Sequence, residues 1–317
     1  CVDWNHKAYN GWRGRGKCVI MKKTMLVKKG EKRMLRTNEE RLVKLSVQGE
    51  VSPPGYSDLG KIDAKGQVFV LPGTGGISYN VKIGDLANGF EADHVEPGVS
   101  TRNVNERSSN AYNYLSCIGN EATVISGDAK GKKGFVTGTH GGIEHVILYF
   151  PQDALEQMNI GDRINVKSFG QGLQLLDYPE IAVMNLDPAV LRRMKIREEG
   201  GRLIVPVAKA VPGCLMGSGL GASTTKKGDY DITLFDEKLV AEYHLDELRL
   251  GDIVALLDCD NTNGRNFITG ALSIGVIVHG SCKISGHGPG VTTLFSCLTG
   301  KLGYELQEKA NLADMLL

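Results

Sequence analysis

The sequence predicts a β-rich α+β protein, built of barrel-like sheets with a few short helices and divided into two domains. Three observations carry this expectation. Segments of strand length alternate apolar and polar side chains and stop at Gly or Pro. Glycine supplies 41 of 317 residues while aromatics make up only 6%, the composition of a chain with many tight turns. A unit of short helix, Gly-Asp turn and strand occurs more than once. At 317 residues the chain also exceeds the roughly 100–200 residues of one typical domain.

The elements follow in order. Residues 42–51 alternate from Val43 onward and read as a half-buried strand, ended by Pro53-Pro54-Gly55. Residues 68–71 form a second strand, stopped by Pro72-Gly73, and 79–85 alternate as a third. Residues 88–114 read as irregular, with Gly, Asn and Ser clusters between short apolar pieces. Residues 122–127 and 133–138 pair as a hairpin around a charged turn at Asp128, and 144–150 add another strand. The repeating unit is clearest at 153–167 and 243–258. One helical turn buries Leu or Met three residues apart, Gly161 or Gly251 stops it in the left-handed region, and the next apolar residues enter a sheet. Ile83-Gly84-Asp85 is a weaker third copy. A helix is expected from Asp187, a good N-cap with Pro188 at the first helical position, to about Arg197. Gly200-Gly201 ends that segment, so the domains are drawn as 37–199 and 200–317. In the second, residues 203–207, 271–278 and 291–295 have the apolar character of buried strands.

The formal net charge of +1 hides an asymmetry. Residues 1–36 hold eleven Lys/Arg and two acids, which leaves 26 basic and 34 acidic residues, a balance of −8, in 37–317. The basic leader has no apolar run of the kind a signal peptide needs, and it is Lys-rich without Ser, unlike a transit peptide. It is expected to be non-native sequence or disordered, with Met21, Met25 and Met34 as alternative starts. The acidic body argues against a nucleic-acid partner. No uninterrupted apolar run approaches the roughly 20 residues of a membrane helix, so no membrane partner is expected. Seven cysteines, an odd number with no C-x-x-C, point to mostly buried thiols and a reducing cytoplasm.

Chemistry concentrates around the histidines. His6 lies in the leader and His244 reads as a surface residue of the second repeat unit; the other five sit in or beside Gly-rich loops, where function gathers. In 91–98, Asp93, His94 and Glu96 offer a general base or a metal site, and in an extended loop His94 and Glu96 point to the same side. The alternative is a polar turn ending at Pro97-Gly98. In 139–145, a turn at Gly141-Gly142 sets His140 and His145 opposite each other across two strands. Two imidazoles alone do not make a zinc site, which normally takes at least three protein ligands, so His94 or Glu96 is the expected third. In 279–290, a strand delivers His279 and a Gly-His-Gly-Pro-Gly loop delivers His287, while Cys282 reads as a small apolar residue more readily than as a nucleophile.

Two further loops are candidates for ligand contact. Residues 216–225, with Gly217, Ser218 and Ser223, present many amides without large side chains and suit an anion nest, or else a structural turn. They lack the context of a Walker loop or a dinucleotide fingerprint. Residues 258–265 resemble part of a calcium loop but have no Glu at the twelfth position. There Asp260 and Arg265 form either the rim of a site, with Arg265 reading a carboxylate, or a plain hydrogen-bonded turn.

Seven strings of residues, in order, resemble a prokaryotic family described only as domain of unknown function 4438. They begin at Pro72, Asp93, Gly127, Gly138, Gly170, Met216 and Gly286. The resemblance spans about 37–317, stops short of the leader, implies a two-part chain and brings no activity or catalytic residue with it. From the residues, the first functional expectation is a metal-assisted hydrolase or lyase acting on a small polar molecule. A divalent metal (zinc, manganese or iron) would be held by His94, His140 and His145. Asp93, Glu96 and His287 would serve catalysis, and Gly217, Ser218, Ser223, Asp260 and Arg265 would bind the ligand. The alternative is a non-catalytic protein that binds a small metabolite or assembles as a homo-oligomer; a homo-oligomer is expected on either reading.

Overall fold

The computed structural model describes residues 35–55, 60–219 and 221–317. The anticipated leader, with His6, Cys1 and Cys18, lies outside them apart from Leu35 and Arg36. The described chain is β-rich, as its alternating segments predict, with short helices at its margins.

Six antiparallel strands close into a barrel. Their order is Leu45–Val51, Arg163–Ser168, Glu121–Val124, Lys133–His140, His145–Tyr149 and Gly98–Arg102, and the ring closes where Glu50 and Val51 face Arg102 and Thr101. Val51, Val99, Val124, Val136, Leu148, Ile164 and their neighbours fill it. The helix Glu106–Leu115 packs against the barrel: Asn105 caps it by accepting from the Ser108 N–H, and Tyr112 reaches in to share a 2.8 Å hydrogen bond with Thr101. Gly49 makes room for that ring, since a Cβ there would stand 2.5 Å from it.

The second sheet runs Ala182–Val183, Gly290–Cys297, Asn266–His279, Ile253–Asp260 and Lys209–Val211, with Tyr230–Asp231 pairing the Gly290–Cys297 strand. Arg197–Glu199, Arg202–Val207 and Leu302–Leu306 make a third. The two halves of the chain interleave. Ala182 and Val183 complete a sheet otherwise drawn from beyond residue 200, Ile118 bridges Leu186, and Leu86 bridges Arg249. Barrel and second sheet meet at Gly138, where a Cβ would stand 2.2 Å from Val278, and at Thr139, whose carbonyl accepts from the Thr292 hydroxyl at 3.1 Å. The next residues along each strand are His140 and His279.

The Gly-Asp unit occurs three times with one geometry. At Asp85, Asp162 and Asp252 the carboxylate accepts from the N–H three residues back (Lys82, Asn159, Arg249) at 2.8–2.9 Å, and the Asp N–H returns a bond to that residue's carbonyl. Gly84, Gly161 and Gly251 all take φ between 85° and 95°, which favours glycine. The weak copy at 83–85 therefore has the same geometry as the other two.

Several elements differ from expectation. Residues 79–85 are no strand, because the Asp85 turn bends the chain after Ile77–Ser78. Residues 88–114 hold both the Gly98–Arg102 strand and the Glu106–Leu115 helix, which lacks an apolar stripe and is anchored by its cap and Tyr112. The helix at Asp187 forms with the expected cap but stops at Arg193, since Lys195 turns left-handed and Arg197 enters a strand. All five cysteines of the described residues are free thiols and all but Cys214 are buried. Among the described residues no helix is long and apolar enough to cross a membrane.

The Gly138 contact yields the first prediction. Gly138→Ala forces a methyl into Val278, and overpacking of this kind costs about 1–3 kcal/mol. Urea denaturation should show that loss with an unchanged m-value; an undiminished midpoint would mean that the junction yields freely.

Candidate metal centre

The junction brings four of the five loop histidines to one place. His140 and His279 stack with centroids 4.1 Å apart, and His94 lies 5.9 Å from the first, 5.2 Å from the second and 5.2 Å from His287. Two carboxylates complete the group. One donor atom each from His94, Asp231 and His287 lies within 4.8 Å of the others, and the same holds for His140, Asp229 and His279.

Each buried ring is fixed by its far nitrogen. His94 donates from Nδ1 to Asp93 at 2.7 Å, which leaves Nε2 facing His287 Nδ1 at 3.2 Å and Asp231 Oδ2 at 3.6 Å. His140 donates from Nδ1 to Glu96 at 2.7 Å and keeps Nε2 for the centre. His279 donates from Nδ1 to the Gly280 carbonyl at 2.9 Å and turns Nε2 to Asp229 at 2.8 Å. This is how proteins orient metal-binding imidazoles: an outer hydrogen bond sets the tautomer and aims the other lone pair. His287 Nδ1 sits 2.8 Å from Asp231, and its side chain is 36% exposed, so it forms the solvent face.

Local sequence explains the placement. His140 and His145 are directly opposed across the Gly141-Gly142 turn, as strand parity requires. His94 adopts φ 55°, so the extended geometry expected of 93–96 does not form. The ring then turns away from Glu96 toward His287, while Asp93 orients it. Asp229 directly precedes the two-residue strand Tyr230–Asp231, so the two aspartates flank buried Tyr230 and both carboxylates face the centre. Gly290 admits them, because a Cβ there would lie 2.1 Å from both Asp229 and His279.

Two expected roles are corrected. His145 is not among the converging donors: its Nδ1 goes to Glu96 at 2.8 Å and its Nε2 to Ser52 at 3.0 Å, so both nitrogens are committed. Glu96 accepts from His140, His145, the Ser100 hydroxyl and the Gly75 N–H, which leaves no lone pair for a substrate proton. It orients His140. Asp93 holds His94 and accepts from Cys282 at 3.0 Å and from Lys61 at 2.5 Å.

The loop candidates fall on both sides of the centre. Gly217 and Ser218 reach it: the Gly217 N–H bonds the Asp231 carbonyl at 2.7 Å, and the Ser218 hydroxyl donates to the Asp231 carboxylate at 3.0 Å. Arg265 donates to the Gly217 carbonyl and steadies that loop. Ser223 is exposed. Asp260 accepts from the backbone and hydroxyl of Thr262 and from Ser296, the plain turn. His244 is exposed, as expected. Asp229 and Asp231 were not anticipated as site residues, although carboxylates two apart around a strand-forming Tyr230 are a readable signal. A cleft of about 500 Å³, lined by Lys61, Phe69, Phe90, Asp93 and much of 71–81, opens beside the group.

Charge is balanced internally. Burial opposes ionisation of Asp93, Glu96 and Asp231, yet hydrogen bonds and attraction from the histidines hold all three well below the usual carboxylate range. Burial likewise opposes charge on His94 and His279. Asp231 and Asp93 nonetheless push His94 up to about 11, and Asp229 and Asp231 push His279 up to about 10. His140 is lowered, by burial and by the neighbouring His279, and stays a neutral donor.

The signs give a stability profile. The raised histidines contribute fully below about pH 6.5, their ordinary value, and the contribution is lost as pH rises through their folded values. The lowered carboxylates contribute at neutral pH and lose that contribution as pH falls through the acid range. The melting temperature of chelator-treated protein should therefore peak on the acid side of neutrality, below about pH 6.5, and decline toward pH 10, with a shallower alkaline decline in His279→Gln. Identical alkaline slopes would refute the ion pairing.

A family model described as "Domain of unknown function (DUF4438), N-terminal" matches residues 61–192, and its C-terminal counterpart matches 193–316. The solved structure titled "Crystal structure of TM1086" is 45% identical, covers 89% of this chain and 99% of its own, and superposes with a TM-score of 0.86. No curated protein matches.

Proposed function

The chain belongs to the DUF4438 family, and from its centre we propose that it is a metal-assisted hydrolase or lyase acting on a small polar molecule. One observation carries this reading. His94, His140 and His279 are each pinned by an outer acceptor so that the remaining nitrogens converge with Asp229 and Asp231. An arrangement serving only stability has no need of three separately oriented rings. The donor set of imidazoles and carboxylates suits zinc, manganese or iron.

When bound, a divalent cation supplies Lewis acidity and a coordinated water acidified toward neutral pH. The chain's own residues do the rest. Glu96 and Asp93 hold the ring orientations. Ser218 keeps Asp231 aimed, through a loop that closes on Gly286. The exposed edge of His287 marks the face open to solvent. Lys61 places a cation at the cleft beside Asp93, which favours polar or anionic molecules there.

Elemental mass spectrometry on untagged protein purified without chelator tests the proposal. We expect at least one equivalent of zinc, manganese or iron, reduced in His94→Ala, with the affinity of Glu96→Gln lowered about 10–100-fold through the orienting bond alone. Folded protein that takes up no metal on addition would overturn it. Where metal is found, turnover of small amides, esters and hydroxy acids is the next measurement.

A further inference from the structure

Resting on the metal-binding reading above, we propose that the centre holds two divalent cations bridged by Asp231. The donors form two separate sets. His94 Nε2, His287 Nδ1 and Asp231 Oδ2 make one; His140, His279 and Asp229 make the other. Asp231 belongs to both through different oxygens. Oδ2 lies 2.8 Å from His287 Nδ1 and 3.6 Å from His94 Nε2, while Oδ1 lies 3.6 Å from His279 Nε2. A carboxylate whose two oxygens address different donor sets has the geometry of a bridge, and paired-ion sites hold their metals roughly 3.5–4 Å apart.

Charge allows the same arrangement. Asp93, Glu96, Asp229 and Asp231 are all more than nine-tenths buried. With His94 and His279 as neutral ligands, two divalent cations and Lys61 match these carboxylates and leave room for one anionic ligand. The orienting contacts are also independent, since Asp93 serves the first set while Glu96 and the Gly280 carbonyl serve the second. Each set therefore has its own support, and neither needs the other's outer contacts to form. The ligand class that fits is a small anion or carbonyl able to touch both ions.

The test uses the full chain, stripped with chelator and titrated with manganese(II) chloride alone, read by calorimetry and electron paramagnetic resonance. We expect two ions per chain and an exchange-coupled spectrum. His140→Ala should retain one ion with an uncoupled six-line signal, and Asp231→Asn should lose the coupling; circular dichroism of each variant checks that it is folded. Saturation at one ion per chain would overturn the bridge while leaving the proposed function standing, as would two ions without coupling at saturation. No binding at all would overturn both. Should Asp231→Asn fail to fold, the wild-type stoichiometry and coupling together with His140→Ala still decide the matter.

Discussion

The centre depends on how this protein accommodates four carboxylates inside itself. Burying an unpaired charge costs on the order of several kcal/mol even after relaxation, and the cost is tolerated only where donors surround the group. Asp93, Glu96, Asp229 and Asp231 each meet at least one imidazole, and Asp93 also meets Lys61. Five histidines are therefore not scattered polar residues but the hydrogen-bond partners that make those carboxylates bearable, with His94 and His279 supplying positive charge. Remove the positive partners and the junction would carry uncompensated negative charge between two packed sheets. On the proposed reading, a metal takes over the role the protons play.

The sheets supply the geometry. A barrel strand ends at His140 and a central-sheet strand at His279, and both come to the junction one or two residues after a close contact at Gly138 and Val278. Neither ring needs a long flexible loop to arrive. Sites built on strands are held more tightly than sites built on loops, and here only His94 and His287 come from loop segments. His94 is held in a left-handed backbone conformation that few non-glycine residues adopt. Its ring is then gripped from both ends, by Asp93 on one nitrogen and by His287 and Asp231 on the other.

Much of this was legible in the sequence, and the exceptions have physical causes. The hairpin pairing of His140 with His145 followed from strand parity around two glycines. Parity could not say that a buried Glu96 would claim one nitrogen of each, leaving His140 with a free face and His145 with none. The Gly-Asp turns were readable because Gly and Asp are both needed, one for positive φ and one to hold the N–H three residues back. The Glu106–Leu115 helix was not, since its polar residues carry no periodic signal and its stability comes from a cap and one tyrosine. Asp229 and Asp231 follow Lys226, Lys227 and Gly228, so charge and glycine masked a two-residue strand that only pairing with Val291 and Gly290 defines.

Glycine sets how closely the backbones around the centre approach one another. At Gly290 any Cβ would occupy the space where Asp229 meets His279, and at Gly217 any Cβ would strike the Gly286 carbonyl that anchors the Ser218 loop. Gly73 would strike the backbone of Asp93, and Gly138 the side chain of Val278. None of these four takes a left-handed φ, so conformational freedom is not what they contribute. They contribute closeness. The high glycine content, which from composition alone suggested only many turns, also lets the backbones around the centre approach until imidazole and carboxylate are in hydrogen-bonding reach. A chain that brings charged groups together by thinning its own backbone is one in which function and packing cannot be varied separately, and enlarging any of these glycines would disturb the centre without replacing a single donor residue.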